Sequence, residues 1–338
     1  MNERFNEQYK EILFEYLQHQ DEEILYSCEK LTKVAMENNI PPEEIINIHR
    51  SVLEEYDSNL PEHVRKSFDV LLEMMIGYGL AYLEHISLRT EQRALRSEIE
   101  QAETIQKTLM KTDLPCQEGM EFGVVSRSAR QMSGDYYSFI RDELVPDKVS
   151  VALADVVGKG IPAAFSISMI KYALNNMVGE KFTPRTVLES LNEIAEENIN
   201  DNMFITMFFG VYHADAHLFE YSSAGHELGL HYQAETATFS DLYAKGLPLG
   251  VDKQAQYREF EKEVAEEDVI FIMSDGVTEA KVGNDFIERD DLIKIFDTYI
   301  HLEPQKMVEA IYNHLLKMQN FLLHDDFTLI AIKRSNQV

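Results

Sequence analysis

A chain of 338 residues is too long for one ordinary hydrophobic core, so two domains are expected. Its formal net charge of −28 argues against nucleic acid as a partner, because phosphate binding needs clustered Lys and Arg. The sequence has no apolar run of about 20 residues and only two cysteines, Cys28 and Cys116, so we expect a cytoplasmic protein without membrane spans or disulfides.

Residues 1–82 are predicted to form an all-α bundle that acts as a regulatory, partner-binding domain. Apolar residues recur there at helical spacing, and "NNIPPEE" and "SNLPEH" each place proline where a new helix would begin. About four helices with short connections are typical of an antiparallel bundle.

Residues 83–118 are predicted to form a coiled-coil-like linker, because a seam of residues recurs at alternating steps of four and three. The seam comprises Leu88, Gln92, Leu95, Ile99, Ala102, Gln106 and Leu109. Two glutamines and an alanine make it weak, so it would pair two chains reversibly. The alternative is an amphipathic helix packed on its own domain.

Residues 119–338 change to strand-like runs such as "VSVALAD", "MFITMFFGVY" and "DVIFIMSDG", with helical stretches between them. Runs buried on both faces indicate two packed sheets flanked by helices. The fold class is therefore α+β, with an all-α N-terminal part and a sheet sandwich after the linker.

Aspartates stand at the ends of several apolar strands: Asp135, Asp155, Asp275 and the pair Asp325 and Asp326. Each alone would ordinarily cap a turn or a helix. Several carboxylates at one sheet edge repel one another unless a cation neutralises them. Oxygen ligands without His or Cys favour Mg²⁺ or Mn²⁺, and this number of carboxylates allows a two-metal site.

Two other interpretations of these motifs are weaker. "GKGIPAA" lacks the GxxxxGK[ST] spacing of a phosphate-binding loop, and its glycines suit a tight strand-to-helix turn. His226 and His324 lie near motif-like text, but structural hydrogen bonding is the default role for each.

Seven motifs in order, "SGDYY", "ADVVGKGIPAA", "MFITMFFG", "SAGHELG", "KGLPLG", "SDGVTEA" and "HDDFTL", resemble the PPM (type 2C) serine/threonine phosphatases of the bacterial SpoIIE/RsbU branch. The N-terminal "IPPEEIINIHR" and "MIGYGLAY" resemble the same branch. The resemblance implies the PPM phosphatase fold, an α/β/β/α sandwich of two antiparallel sheets, and a protein-serine phosphatase activity.

The resemblance also implies ligands for two Mn²⁺ or Mg²⁺ ions. Asp155 would bridge both ions, and Asp135 and the carbonyl of Val156 would serve one of them. The family often has glycine where this chain has Val156, which leaves a carbonyl ligand possible. Water activated by the two metals would attack phosphorus.

The second ion would be held by Asp275 and Asp325. Asp326 is the alternative to Asp325 as this ligand, and Asp325 is preferred.

The implied substrate is a phosphorylated anti-anti-sigma protein of the RsbV kind, whose dephosphorylation would free a stress-response sigma factor. The implied activator is an RsbT-like switch kinase that docks on the helical domain and dimerises the linker. Tyr26, Ile76 and Tyr78 are candidates for the docking surface, with core packing as the alternative. On this mechanism, leucine at Gln92 and Gln106 is expected to raise basal activity.

Two rival functions remain at this point. One is a catalytically inactive dimer that only recognises a phosphoprotein, although intact carboxylates at every motif argue against it. The other is a metal-dependent hydrolase of a small phosphoester, which the ligand chemistry alone does not separate from a protein phosphatase.

Overall fold

The computed structural model describes residues 2–141, 145–158, 160–177, 182–199, 203–283 and 285–335. The chain divides into two compact units, residues 1–97 and residues 98–338. None of the helices in the described ranges is long and apolar enough to cross a lipid bilayer.

The first unit is helical, as predicted. Its helices begin at the expected signals: Asp21 accepts a hydrogen bond from the N–H of Glu23 at 3.0 Å, and Pro42 opens the third helix. The bounds are α1 (Asn2–His19), α2 (Glu22–Glu37), α3 (Pro42–Tyr56) and α4 (Glu62–Leu109). The buried core joins the first three helices through Phe5, Leu31, Ala35, Ile48 and Val52.

Helix α4 is a single helix of 48 residues, so the predicted linker beginning at residue 83 starts inside it. Within the first unit, α4 meets α3 through the rings of His49 and Phe68 and through the Arg50–Asp69 ion pair. Much of its remaining apolar surface is exposed, with Val70 and Met74 about two-thirds accessible. We call these exposed apolar residues the exposed apolar stripe of α4.

The second unit contains twelve strands in its described part: β1 (Met120–Arg127), β2 (Asp135–Arg141), β3 (Lys148–Val157), β4 (Phe204–His213), β5 (Leu218–Ala224), β6 (Gly229–Gln233), β7 (Thr238–Leu242), β8 (Phe260–Glu263), β9 (Val269–Met273), β10 (Lys281–Val282), β11 (Asp285–Phe286) and β12 (Phe327–Arg334). The helices are α5 (Ile161–Asn176), α6 (Pro184–Asn198), α7 (Asp275–Thr278), α8 (Arg289–Tyr299) and α9 (Pro304–Met318).

Ten of these strands form two five-stranded sheets, and β10 pairs with β11 in a small ladder. Sheet A has the order β1-β12-β9-β6-β7 and sheet B the order β2-β3-β4-β5-β8, with antiparallel pairing throughout both sheets. One apolar cluster lies between the sheets, including Leu153, Phe208 and Ile330.

Two further clusters join the sheets to helices. One holds α5 and α6 against sheet B, and the other holds α8 and α9 against sheet A. Each fully buried Leu, Ile or Phe contributes about 1.5–3 kcal/mol of transfer free energy, so these layers dominate the stability of the unit. The predicted sandwich of two antiparallel sheets flanked by helices is confirmed.

Candidate metal centre

Two aspartates face each other across neighbouring strands. Asp135 opens β2, Asp155 lies near the end of β3, and the antiparallel register pairs them directly. Like charges directly opposite on one face of a sheet are destabilising. Because stability alone would disfavour this pair, it indicates a binding role.

Asp135 is the most deeply buried of the predicted carboxylate ligands, with 1% of its surface exposed. Neither carboxylate oxygen has a hydrogen-bond partner of normal geometry within the described residues. Burial, reinforced by the charge of Asp155, raises the pKa of Asp135 well above its usual value, and the nearby hydroxyls of Thr328 and Ser274 only partly oppose this shift. A buried carboxylate without a hydrogen bond of normal geometry is costly and is ordinarily neutralised by a proton or a cation.

Asp155 and Asp275 share this electrostatic environment. Burial raises the pKa of Asp155 to about 7, and the charges of Asp275, Asp325 and Asp326 add to the shift. Burial also raises the pKa of Asp275 to about 6, with the charge of Asp325 as the next cause. Carboxylates from four separate motifs therefore act on one another at one end of the sandwich.

Gly134 lies where these groups converge. A Cβ atom added there would stand 3.1 Å from Asp155 Oδ1, 3.3 Å from the carbonyl oxygen of Val156 and 3.6 Å from Asp326 Oδ2. The N–H of Val156 also donates to the carbonyl of Gly134 at 3.1 Å. The carbonyl oxygen of Val156 and Oδ1 of Asp155 therefore both lie beside Gly134.

Asp325 and Asp326 differ in what their oxygens contact. Asp326 accepts from the N–H of Ala129 at 2.7 Å and from the N–H of Gly134 at 2.5 Å, so both its oxygens fasten the loop before β2. Asp325 is exposed, and one of its oxygens accepts only the N–H of Asp326, at 3.0 Å. The carboxylate of Asp326 is therefore occupied by backbone N–H groups of the loop before β2, whereas that of Asp325 is exposed.

The segment "SDG", residues 274–276, brings Asp275 beside Asp325 and Asp326. Ser274 Oγ accepts from the N–H of Thr328 at 2.9 Å, which ties the end of β9 to the start of β12. A Cβ atom added at Gly276 would stand 2.1 Å from the carbonyl oxygen of Asp326. Only glycine allows the two segments to approach so closely.

The chemistry of these donors fits hard divalent cations. The set consists of carboxylate and carbonyl oxygens, which Mg²⁺ and Mn²⁺ prefer, and it includes the unpaired, buried carboxylate of Asp135. No three His, Cys, Asp or Glu side chains form a ready-made metal cluster in the described part of the chain. The predicted carboxylate ligands therefore surround the site at distances larger than those of a preformed metal cluster.

The predicted linker seam is only partly on one exposed face. Leu88, Leu95 and Leu109 are exposed, whereas Ile99 and Ala102 are half-buried. Gln92 is exposed as well.

Gln106 departs from the seam prediction. It is 4% exposed, and its side-chain amide forms two hydrogen bonds with the backbone of Ser133. The predicted seam position at Gln106 is therefore wrong in this structure, because the second unit itself covers that side chain.

Three of the remaining predicted residues belong to the first unit, and His226 belongs to the second. Tyr26 and Tyr78 are 74% and 62% exposed, so core packing does not explain them, and Ile76 is 36% exposed. His226 is buried, its Nδ1 shares a 2.9 Å hydrogen bond with the hydroxyl of Thr206, and burial lowers its pKa to about 4.

Three features near the carboxylates were not singled out by number from the sequence: the close approach at Gly134, the hydrogen bond of Ser274, and the two hydrogen bonds between Gln106 and Ser133. The first two carry a usable signal, because a glycine or serine directly before an aspartate at a strand end permits close approach or caps the next turn. The glutamine carries none, since its partner is backbone. Lys159 of the "GKG" turn lies outside the described residues.

The metal-free protein is expected to lose stability as the pH rises from about 6.5 to about 8. A carboxyl whose pKa is higher in the folded than in the unfolded protein stabilises the fold while protonated, and that stability is lost as the pH rises through the folded pKa, about 7 for Asp155. The lowered pKa values of His226 and His231 act oppositely, with stability lost as the pH falls below their unfolded value of 6.5.

Thermal unfolding in a chelator across this interval measures the effect. Mn²⁺ should raise the melting temperature most at the upper end, where the carboxylates no longer hold protons. A melting temperature that stays constant or rises with pH without metal would contradict the electrostatic assignment.

Comparison with known proteins gives matches along almost the whole chain. The family model described as Stage II sporulation protein E (SpoIIE) matches residues 146–335, and that described as Phosphoserine phosphatase RsbU, N-terminal domain, matches residues 7–81. The curated Phosphoserine phosphatase RsbU of Bacillus subtilis (strain 168) is 46% identical over 332 residues, which are 98% of this chain and 98% of that protein.

Solved structures of similar fold include the SiaA-PP2C domain of Pseudomonas aeruginosa. That domain matches with a TM-score of 0.61 and 14% identity, over 72% of this chain and 98% of its own. RsbX in complex with magnesium matches with a TM-score of 0.50 and 18% identity, over 66% of this chain and 99% of its own.

Proposed function

The chain belongs to the RsbU family of phosphoserine phosphatases, and from this premise we propose that it dephosphorylates a phosphoserine of an anti-anti-sigma protein of the RsbV kind. It is an enzyme of the PP2C phosphatase fold. The observation that carries the proposal is the buried carboxylate of Asp135, unpaired and directly opposite Asp155. Such a pair suits a cation-dependent phosphoryl hydrolase.

Two divalent ions, Mn²⁺ or Mg²⁺, are the proposed cofactors. Asp155 would contact both ions, with Asp135 and the carbonyl of Val156 on one, and Asp275 and Asp325 on the other. When bound, such a pair lowers the pKa of water and offsets the negative charge of a phosphoryl group.

The residues of the chain itself hold the ligand-bearing segments in position. Asp326 fixes the loop before β2 through two backbone N–H groups, and Ser274 holds the end of β9 on β12. Gly134 leaves room for the carboxylate of Asp155. These contacts hold the ligands before the substrate arrives, which lowers the cost of assembling the site.

Regulation by a partner is proposed for the helical unit. An RsbT-like switch kinase would dock where Tyr26, Ile76 and Tyr78 are accessible, and dephosphorylated product would free a stress-response sigma factor. The exposed apolar stripe of α4 supports a homodimer, because a second copy brings the same stripe and buries both from water. Pairing would use the seam from Leu88 to Ala102 and end before Gln106.

Phosphate release from a phosphoserine-bearing anti-anti-sigma protein tests the proposal. We expect turnover that requires Mn²⁺ or Mg²⁺, that stops in a chelator, and that rises when the switch kinase is added. Phosphoprotein binding without turnover under every condition would favour the inactive binding module. Turnover of small phosphoesters with none of the phosphoprotein would favour a small-molecule hydrolase.

A further inference from the structure

Gln106 is a buried polar side chain near the end of a largely exposed helix. It is 4% exposed, whereas its neighbour Ile105 is 61% exposed and Leu109 is 42% exposed. Burying an amide costs free energy unless its hydrogen bonds are replaced. A leucine would suit an apolar contact better, so the amide group itself has a purpose here.

The amide of Gln106 binds one backbone residue in both directions. Its Nε2 donates to the carbonyl of Ser133 at 2.8 Å, and the N–H of Ser133 donates to its Oε1 at 3.2 Å. The side chain therefore pairs with Ser133 as a neighbouring strand would. We name this pair of hydrogen bonds the amide clamp.

The clamped residue leads directly into the candidate metal centre. The N–H of Asp135 donates to Ser133 Oγ at 3.2 Å, and Gly134 between them is held by Asp326 and by the N–H of Val156. The loop is thus fastened by α4 on one side and by the carboxylate motifs on the other. Its position decides where the buried carboxylate of Asp135 stands.

We propose that Gln106 is a positioning residue for the metal centre: through the amide clamp it keeps the Ser133–Asp135 loop in the conformation that presents Asp135 to the cation. Without the clamp, α4 no longer holds the backbone of Ser133, and the loop that carries Asp135 is free to shift. The inference rests on the proposed metal-dependent function. It also reverses the expectation for leucine at Gln106, which should lower basal activity.

Two substitutions in the full chain test this role. Gln106→Ala removes both hydrogen bonds, and Gln106→Glu keeps the volume and an acceptor for the N–H of Ser133 while losing the donor to its carbonyl. Gln101→Ala is the matched control, because Gln101 is exposed on the same helix. Mn²⁺ affinity by calorimetry, the melting temperature without metal, and phosphate release against Mn²⁺ concentration are measured for each.

We expect Gln106→Ala to bind Mn²⁺ about 10- to 100-fold more weakly, the usual effect of losing a group that orients a metal ligand. Its metal-free melting temperature should fall by a few degrees, because the backbone N–H and carbonyl of Ser133 lose their partner, and saturating Mn²⁺ should restore most of the turnover. A purely structural residue would lower the melting temperature and leave the Mn²⁺ affinity unchanged. If Gln106→Ala does not fold, Gln106→Glu carries the same comparison.

The outcomes separate this inference from the proposed function. Unaltered protein that binds Mn²⁺ and hydrolyses phosphoserine, with the same Mn²⁺ affinity in Gln106→Ala or Gln106→Glu, overturns the positioning role alone. Unaltered protein that binds no Mn²⁺ overturns both. Equal losses in Gln101→Ala and Gln106→Ala would place the effect in the helix as a whole and overturn the clamp.

Discussion

Asp155→Asn is expected to lower metal-dependent phosphate release by more than about 100-fold. Loss of a residue that only orients a metal ligand typically lowers metal affinity or activity about 10- to 100-fold, and loss of the proposed ligand itself should have a larger effect. Asp155 lies opposite Asp135, and the charges of Asp275 and Asp325 raise its pKa. It is therefore the carboxylate that interacts with the proposed ligands of both ions. Asparagine keeps the shape but supplies no negative charge to a cation.

The same substitution should stabilise the metal-free protein at about pH 8. Burial and repulsion raise the pKa of Asp155 to about 7, and each pKa unit corresponds to about 1.4 kcal/mol, so removing the charge gains up to about 4 kcal/mol in the free energy of unfolding. Thermal unfolding in a chelator measures this gain.

Asp215→Asn is the control, since Asp215 is exposed in the turn between β4 and β5. It should change neither turnover nor stability appreciably. Loss of activity with loss of metal-free stability in Asp155→Asn would indicate a structural role for this carboxylate and contradict the assignment.

Gly134→Ala is expected to weaken Mn²⁺ binding by roughly 5- to 150-fold, the equivalent of an overpacking cost of about 1–3 kcal/mol. The added methyl would crowd the carboxylate of Asp155 and the carbonyl of Val156. The loop has little freedom to withdraw, because Gly134 is bonded through its N–H to Asp326 and through its carbonyl to Val156.

Gly77→Ala is the matched control for that methyl group. A Cβ atom at Gly77 meets nothing within 4 Å, and alanine improves helix propensity by up to about 1 kcal/mol. Calorimetry with Mn²⁺, without any partner, should find unchanged affinity in Gly77→Ala. Equal affinity in Gly134→Ala and the unaltered protein would contradict the convergence of ligands at Gly134.

The strand ends were predictable because apolar runs mark where a sheet stops, and an aspartate there is conspicuous. Aspartates gathered at one edge of a sheet repel one another, so the sequence also predicted a cation at that edge. The preference for Asp325 over Asp326 came from the family resemblance alone, and the N–H groups of Ala129 and Gly134 that bind Asp326 have no sequence signature.

The linker shows a different limit of sequence patterns. A heptad places polar Gln106 at a seam position by spacing alone, and the pattern carries no information about Ser133, 27 residues away. The predicted linker boundary at residue 83 falls inside α4, whose segment "MIGYGLAY" contains two glycines that a long helix tolerates.

Helix α4 combines two patterns with different angular periods. In a straight helix, Leu88 and Gln106 lie five full turns apart and face the same direction, whereas a supercoiled seam drifts by about 20° per heptad, or roughly 50° over this span. The clamp fixes the angle of Gln106. If two copies pair along α4 as proposed, winding them together would apply torque about the helix axis, and the amide clamp between Gln106 and Ser133 would resist it.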